Sequence, residues 1–66
     1  MNLSLGHLHV RFIGDRWSVQ WVMSQGGAYQ YFPSREKAIE WARDRLRTKA
    51  VESATVHEPD GESWAL

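Results

Sequence analysis

The chain has 66 residues, no cysteine, and equal numbers of acidic and basic side chains, eight of each. A chain of this length has room for one small core, because it buries only about 60% of the surface that it exposes when unfolded. The absence of cysteine excludes disulfides and thiolate metal sites. We therefore expect one domain over residues 1–66, with residues 1–6 as a flexible N-terminus and with no cross-link to stabilise it.

Charge is distributed unevenly along the chain although its total is zero. Residues 1–49 carry all eight Lys and Arg against four acids, a net charge of +4, and residues 50–66 carry the other four acids, a net charge of −4. Such a split allows opposite ends of two copies to attract, or an acidic tail to fold back onto the basic part. No apolar run approaches the roughly 20 residues that span a bilayer, and no signal-peptide pattern begins the chain. The sequence thus indicates a cytoplasmic protein without a membrane segment.

The first half of the chain shows the period of β-strands. Apolar and polar residues alternate over residues 8–12 and again over residues 17–21, which is typical of half-buried strands. The Gly-Asp-Arg sequence at residues 14–16 predicts a hairpin turn between them. Residues 24–27, Ser-Gln-Gly-Gly, predict a flexible turn, and residues 28–32 predict a third strand.

Residues 34–50 predict one amphipathic helix. Ser34 is a favourable N-cap, Glu36 lies in the first turn, and basic residues occupy the last turn, where each charge suits the helix dipole. At 100° per residue one apolar stripe forms, which consists of Ala38, Ile39, Ala42, Leu46 and Ala50. Trp41 lies beside this stripe, so we expect it to cap the edge of the core.

The remaining segments complete an α+β pattern. Residues 53–57 alternate again, and Pro-Asp-Gly at residues 59–61 predicts a turn before a short last strand. The order β-β-β-α-β-β predicts one helix packed on one face of an antiparallel sheet of about five strands. Eight aromatic rings in so short a chain favour a core built from rings. The side chains expected to be buried against one another are Trp17, Trp21, Phe32, Ile39, Ala42, Leu46 and Val56.

Four short motifs together resemble a known family. They are His9-Val10, Trp17-Ser18-Val19, the S-R-E-K-A-I-E-W-A-R segment at residues 34–43 and V-H-E-P-D-G at residues 56–61. The pattern is similar to His-Val, Trp-x-Val, Thr-x-x-x-Ala-Ile-x-x-Ala-Arg and Val-His-x-x-Asp-Gly in the small bacterial and phage domains grouped as domain of unknown function 2188. The chain departs from that pattern in having Ser34 where Thr is commoner and in a last strand that stops at Leu66. The resemblance covers most of the chain and implies a fold more than a function.

Residues that suggest catalysis or metal binding are few. His7, His9 and His57 can share one face of the sheet, but zinc takes three or four ligands and no cysteine or carboxylate cluster completes a set. Ser18, Ser24, Ser34, Ser53 and Ser63 each suit a strand, turn or cap position, and none is expected beside a histidine and an acid. The sequence therefore predicts a protein that is not an enzyme, with no catalytic residue, metal, cofactor or small-molecule substrate.

The sheet face that the helix leaves uncovered is the main candidate binding surface. Its predicted partner-binding residues are His9, Arg11, Gln20, Val22, Tyr29, Tyr31 and His57. Tyrosine and arginine anchor protein contacts, so we expect a binding or regulatory module that contacts a protein and forms a homodimer. Stacking of single-stranded nucleic acid on Arg11, Tyr29 and Tyr31 is the alternative, although zero net charge attracts phosphate weakly. Possible phosphate contacts at the basic helix end are Arg43, Arg45, Arg47 and Lys49.

Overall fold

A computed structural model describes residues 6–23 and 26–66. The elements are β1 (His7–Ile13), β2 (Arg16–Met23), β3 (Gly26–Phe32), α1 (Arg35–Arg47), β4 (Ser53–His57) and β5 (Ser63–Ala65). The predicted element order and the α+β class are confirmed. The predictions for residues 1–5 and for the Ser24-Gln25 part of the turn lie outside the described residues. Gly6 is buried, and its carbonyl accepts a hydrogen bond from the Glu52 amide at 2.9 Å.

The five strands form one mixed sheet in the order β3-β2-β1-β4-β5. Three neighbouring pairs are antiparallel, as the sequence predicts, but β1 and β4 run parallel. The prediction of an antiparallel sheet is therefore wrong at this one pair. The reason is that α1 carries the chain back along the sheet after β3, so β4 must run in the direction of β1 and β3.

The helix starts where the sequence predicts and ends three residues early. The Ser34 hydroxyl accepts a hydrogen bond from the Lys37 amide at 3.2 Å, which satisfies one of the free N–H groups of the first turn. The helix stops at Arg47 rather than Ala50, because Lys49 has a left-handed backbone with φ of 62°. A residue in this conformation just beyond the last turn is a common helix stop.

The core between α1 and the sheet is aliphatic rather than aromatic. Its buried members are Leu8, Val10, Val19, Ala38, Ile39, Ala42, Val51, Ala54 and Val56. The predicted core rings of Trp17, Trp21 and Phe32 are only partly buried and pack around this cluster, as does Leu46. Alanine at two of the helix contact positions lets the helix approach the sheet closely, which leaves no space for a large ring in the centre.

Aromatic side chains occupy the margin of this core. The Trp41 ring lies 5.8 Å from the Phe32 ring, centre to centre, so its predicted place at the core edge is confirmed. The Phe12 ring contacts the Trp17 ring at 5.4 Å, and Phe12 remains 43% exposed. Pairs at this separation stabilise by about 0.5 to 1.5 kcal/mol beyond the area that they bury.

An ion-pair cluster of Arg35, Glu58 and Trp64 connects the start of α1 to the β4–β5 hairpin. The Arg35 Nε donates to the Glu58 carboxylate at 3.1 Å, its Nη2 donates to the second oxygen, and the Trp64 indole donates to that second oxygen at 2.9 Å. The Arg35 guanidinium also lies 5.8 Å from the Trp64 ring centre, within cation–π range. Part of the acidic C-terminal segment is thus folded back onto the basic part of the chain.

The first prediction tests the placement of the core. Leu8→Ala should lower the free energy of unfolding by about 2 to 5 kcal/mol, because Leu8 is fully buried and truncation leaves a cavity. Leu46→Ala should cost less, because Leu46 is only partly buried at the edge of the core. Denaturant unfolding of both variants measures the two losses. An equal or larger loss for Leu46→Ala would contradict the aliphatic core.

The second prediction concerns the Arg35, Glu58 and Trp64 cluster in acid. The hydrogen bond from Arg35, and after it that from the Trp64 indole, hold the pKa of Glu58 below its ordinary value of about 4.5. A carboxyl whose folded-state pKa is lowered stabilises the fold above its unfolded pKa, and this stabilisation is lost as pH falls through the folded-state pKa. Glu58→Gln should therefore lower the melting temperature at pH 7 and reduce the further loss as pH falls below about 4.5.

Glu40→Gln is the matched control, because Glu40 is an exposed carboxyl in the same helix as Arg35. Melting curves at a series of pH values should give the same profile for Glu40→Gln as for the parent. If Glu58→Gln also keeps the parent profile, the cluster does not contribute to stability in solution.

Candidate binding surface

The strand register places all the predicted partner-binding residues on one side of the sheet. Side chains at paired positions of neighbouring strands point to the same face. His9 pairs with Gln20, which pairs with Tyr29, and Arg11 pairs with His57 on its other side. We call this side the open face, and its residues are His7, His9, Arg11, Ile13, Arg16, Ser18, Gln20, Val22, Tyr29, Tyr31, Ser53, Thr55, His57, Ser63 and Ala65. The other face carries the buried side chains that contact α1.

Apolar and aromatic groups are exposed on the β2–β3 half of the open face. Tyr29 is 56% exposed, Tyr31 54% and Val22 39%. Val22 pairs with Gly27 on β3 and with His7 on β1, so no side chain covers it from the β3 side. Ile13 is exposed on the same face, and the sequence analysis missed it although the alternation of β1 continues to this residue. Together these side chains form an uncovered surface of rings and aliphatic groups.

Arginine side chains adjoin these rings. The Arg16 guanidinium lies 5.1 Å from the Tyr31 ring centre, a cation–π contact. Ser18, between Arg11 and Tyr31 in the cross-strand row, is fully buried on this open face, and its hydroxyl donates to the Arg11 carbonyl at 3.3 Å. The Gly-Asp-Arg sequence predicts a turn at Arg16 and gives no sign of its contact with the face. On this part of the face, the Tyr31 ring and the Arg16 guanidinium therefore pack together above the strands.

His9 and His57 contact each other across the parallel strand pair. The His9 Nδ1 lies 3.0 Å from the His57 Nε2, and the two rings are 5.2 Å apart with an angle of 32° between their planes. Partial burial, and after it the charge of Arg11, lower the pKa of both imidazoles below the ordinary histidine value. Both rings are therefore neutral near pH 7. The sequence placed them on one face but did not predict that they touch.

A third histidine on this face contacts a serine and an acid, contrary to the expectation from the sequence. The His7 Nδ1 lies 2.6 Å from the Ser53 hydroxyl, and the His7 Nε2 lies 3.7 Å from a Glu52 carboxylate oxygen. The expectation that no serine adjoins a histidine and an acid is therefore wrong. The His7 and Glu52 side chains are each about half exposed, and water in such an open position weakens the electrostatic interactions that activate a nucleophile.

The basic residues at the end of α1 do not form one surface. The Arg45 guanidinium lies 4.5 Å from the Trp41 ring centre, and Arg47 pairs with Asp44. Arg43 and Arg47 line a shallow groove of about 600 Å³, which Arg45 and Lys49 do not line. Glu40 and Asp44 line the same groove, so its charge is mixed. Of the two regions predicted to bind a partner, the open face is the more continuous.

Metal sites and membrane-spanning helices are two further features that bear on function. Among residues 6–23 and 26–66, no three His, Cys, Asp or Glu side chains lie together in a way that could hold a metal ion. Within the same residues, no helix has the length and apolar character needed to cross a membrane.

No protein-family model, curated protein or solved structure matches the chain. The resemblance to domain of unknown function 2188 therefore stays a prediction.

The third prediction tests whether the contact between Ser53 and His7 is catalytic. The contact between Ser53 and His7 is open to water, so we do not expect it to activate the serine. The parent, Ser53→Ala and His7→Gln should therefore hydrolyse p-nitrophenyl acetate at the same rate. His9→Gln is the control for unspecific imidazole catalysis, since His9 lies on the same strand but contacts His57 instead. An initial burst in the parent that both Ser53→Ala and His7→Gln abolish, and His9→Gln retains, would indicate a nucleophilic serine.

Proposed function

We propose that this protein is a small, non-catalytic binding or regulatory module that acts by protein contact in the cytoplasm, and that it associates with a second copy through the open face. The observation that carries the proposal is the exposure of Tyr29, Tyr31 and Val22 side by side on a sheet face that α1 does not cover. Contiguous exposed apolar groups of this kind mark interaction sites. Tyrosine is also enriched in such sites.

The size of the face suits a stable contact. The protein measures 39 × 22 × 20 Å, and a typical stable interface buries about 800 Å² on each partner. One face of the sheet is of that order. A chain of 66 residues without cross-links also gains more from such burial than a larger domain does, because its own core is small.

A two-fold axis determines which strands meet when two open faces pack together. In a face-to-face dimer whose two-fold axis runs along β1, β3 of one copy lies over β5 of the other. Neither β3 nor β5 carries a charged side chain, so this overlap brings the Tyr29 and Tyr31 rings of one copy over an uncharged strand of the other. A two-fold interface repeats each such contact, so the rings are covered in both copies. In this arrangement the Arg16 side chains of the two copies, on β2, lie apart, whereas the Arg11 side chains of the two β1 strands face each other across the axis and repel.

A specific contact favours single-stranded nucleic acid as a second candidate partner. The Arg16 guanidinium already stacks near the Tyr31 ring, and Arg11 and Tyr29 lie on the same face. Rings and guanidinium groups in one layer offer platforms for unpaired bases. The basic helix end adds less to this candidate, because Arg45 and Arg47 are already engaged with Trp41 and Asp44.

The fourth prediction tests self-association through the open face. Sedimentation equilibrium from low micromolar concentration upward should show the parent rising from 7.7 kDa toward twice that mass. The double variant Tyr29→Ser, Tyr31→Ser should remain monomeric, because it removes the exposed rings. Met23→Ser is the matched control, since Met23 is an apolar side chain 43% exposed on the opposite side of β2. A parent that stays at 7.7 kDa throughout would exclude the dimer.

The same variants separate the nucleic-acid candidate from the dimer. In electrophoretic shift assays at two salt concentrations, we expect no shift of single-stranded or duplex DNA at physiological salt. A shift of single-stranded DNA that weakens with salt, disappears in the double tyrosine variant and persists in Met23→Ser would instead favour nucleic acid as the partner.

A further inference from the structure

The contact between His9 and His57 is the most specific arrangement on the open face. The two residues belong to neighbouring parallel strands, with His9 paired to Thr55 and His57 paired to Arg11. Val10 and Val56 pair with each other between these two residue pairs, and both are fully buried. The strands that carry the two imidazoles are thus fixed by the core directly beneath them. Ligand groups held in this way by a rigid scaffold lose little freedom when they bind.

The separation of the two ring nitrogens is close to that of neighbouring positions around a metal ion, and because the two nitrogens now point at each other, each ring must turn to direct its lone pair at the ion. Imidazole nitrogen binds such ions at about 2.0 to 2.1 Å. Two nitrogens 3.0 Å apart would then subtend an angle of about 95° at the ion, from the same bond lengths. Square-planar and octahedral ions need about 90°, whereas a tetrahedral ion needs about 109°. Imidazole is also a preferred donor for Cu²⁺ and Ni²⁺.

We propose that His9 and His57 form a two-histidine site for one divalent late transition-metal ion, Cu²⁺ or Ni²⁺, with water in the remaining positions. His9 binds through Nδ1 and His57 through Nε2. The hydrogen that the two nitrogens share leaves for water, and the ring that donated it takes up a proton at its other nitrogen. Both ligands come from one copy, but they belong to the open face, so self-association through that face competes with metal binding.

The charged neighbours of the pair limit how tightly it binds. Arg11 is paired with His57 in the sheet and repels a cation at this position. His7, two residues from His9 on the same face, is engaged with Ser53 and Glu52 and is not counted as a ligand. With two protein ligands and a nearby guanidinium, we infer weak, exchangeable binding rather than a permanent metal centre. This sets the proposal apart from a structural zinc site, which needs four protein ligands.

Calorimetric titration of the untagged protein with CuCl₂ and with NiCl₂, in a neutral buffer that does not chelate metals, tests the site. We expect one ion per chain in the parent. His9→Gln and His57→Gln should each weaken metal binding by at least about tenfold. Loss of even a residue that only hydrogen-bonds to a metal ligand lowers metal affinity 10- to 100-fold. Arg11→Gln should strengthen binding, because it removes a cation from beside the ion.

His7→Gln is the matched control and should bind as the parent does, because its imidazole lies on the same strand and face but outside the pair. Melting curves in metal-free buffer establish that each variant is folded before titration. The proposal is overturned if the parent does not bind either ion, if both pair variants keep the parent affinity, or if His7→Gln weakens binding as much as they do.

Discussion

The close approach of one 13-residue helix to a five-stranded sheet is the constraint on which the rest of this structure depends. Ala38 and Ala42 are both fully buried at the contact, and their small size brings the helix backbone near the strands. Close packing then admits only aliphatic side chains at the centre and moves the tryptophans to the margin. A single helix also covers only one side of a sheet, so the open face follows from the same constraint.

The contacts on the open face follow from the parallel pair of β1 and β4. The helix carries the chain past β2 and β1, so β4 lies against the first strand rather than the third. This neighbour relation brings His57 to His9, and Ser53 to His7. Had β4 been placed beside β3, the face would hold the same residues without either contact. The connection between strands, rather than the composition of the face, thus determines its chemistry.

The sequence predicts the elements of this fold better than their partners. Alternation identifies the strands and the residues of the open face, because its period does not depend on which strands pair. It cannot distinguish a parallel from an antiparallel neighbour, so the contact between His9 and His57 was not foreseeable.

Glycine misled the prediction for a different reason. Gly26 and Gly27 suggest a turn but belong to β3, where a Cβ on Gly27 would lie 2.4 Å from the Trp21 carbonyl oxygen. The same residue type serves a turn and a close approach of two backbones.

The parallel pair also has a consequence for how the molecule reaches its native state. The β1–β2 hairpin joins neighbouring segments, whereas His9 and His57 are 48 positions apart in a chain of 66 residues. Contacts over so long a separation close a long loop, and the entropy cost of that closure slows their formation. The pairing of β1 with β4 therefore belongs to the late, slow part of folding. Any molecule held jointly by these two strands recognises only the completed fold and protects it from opening.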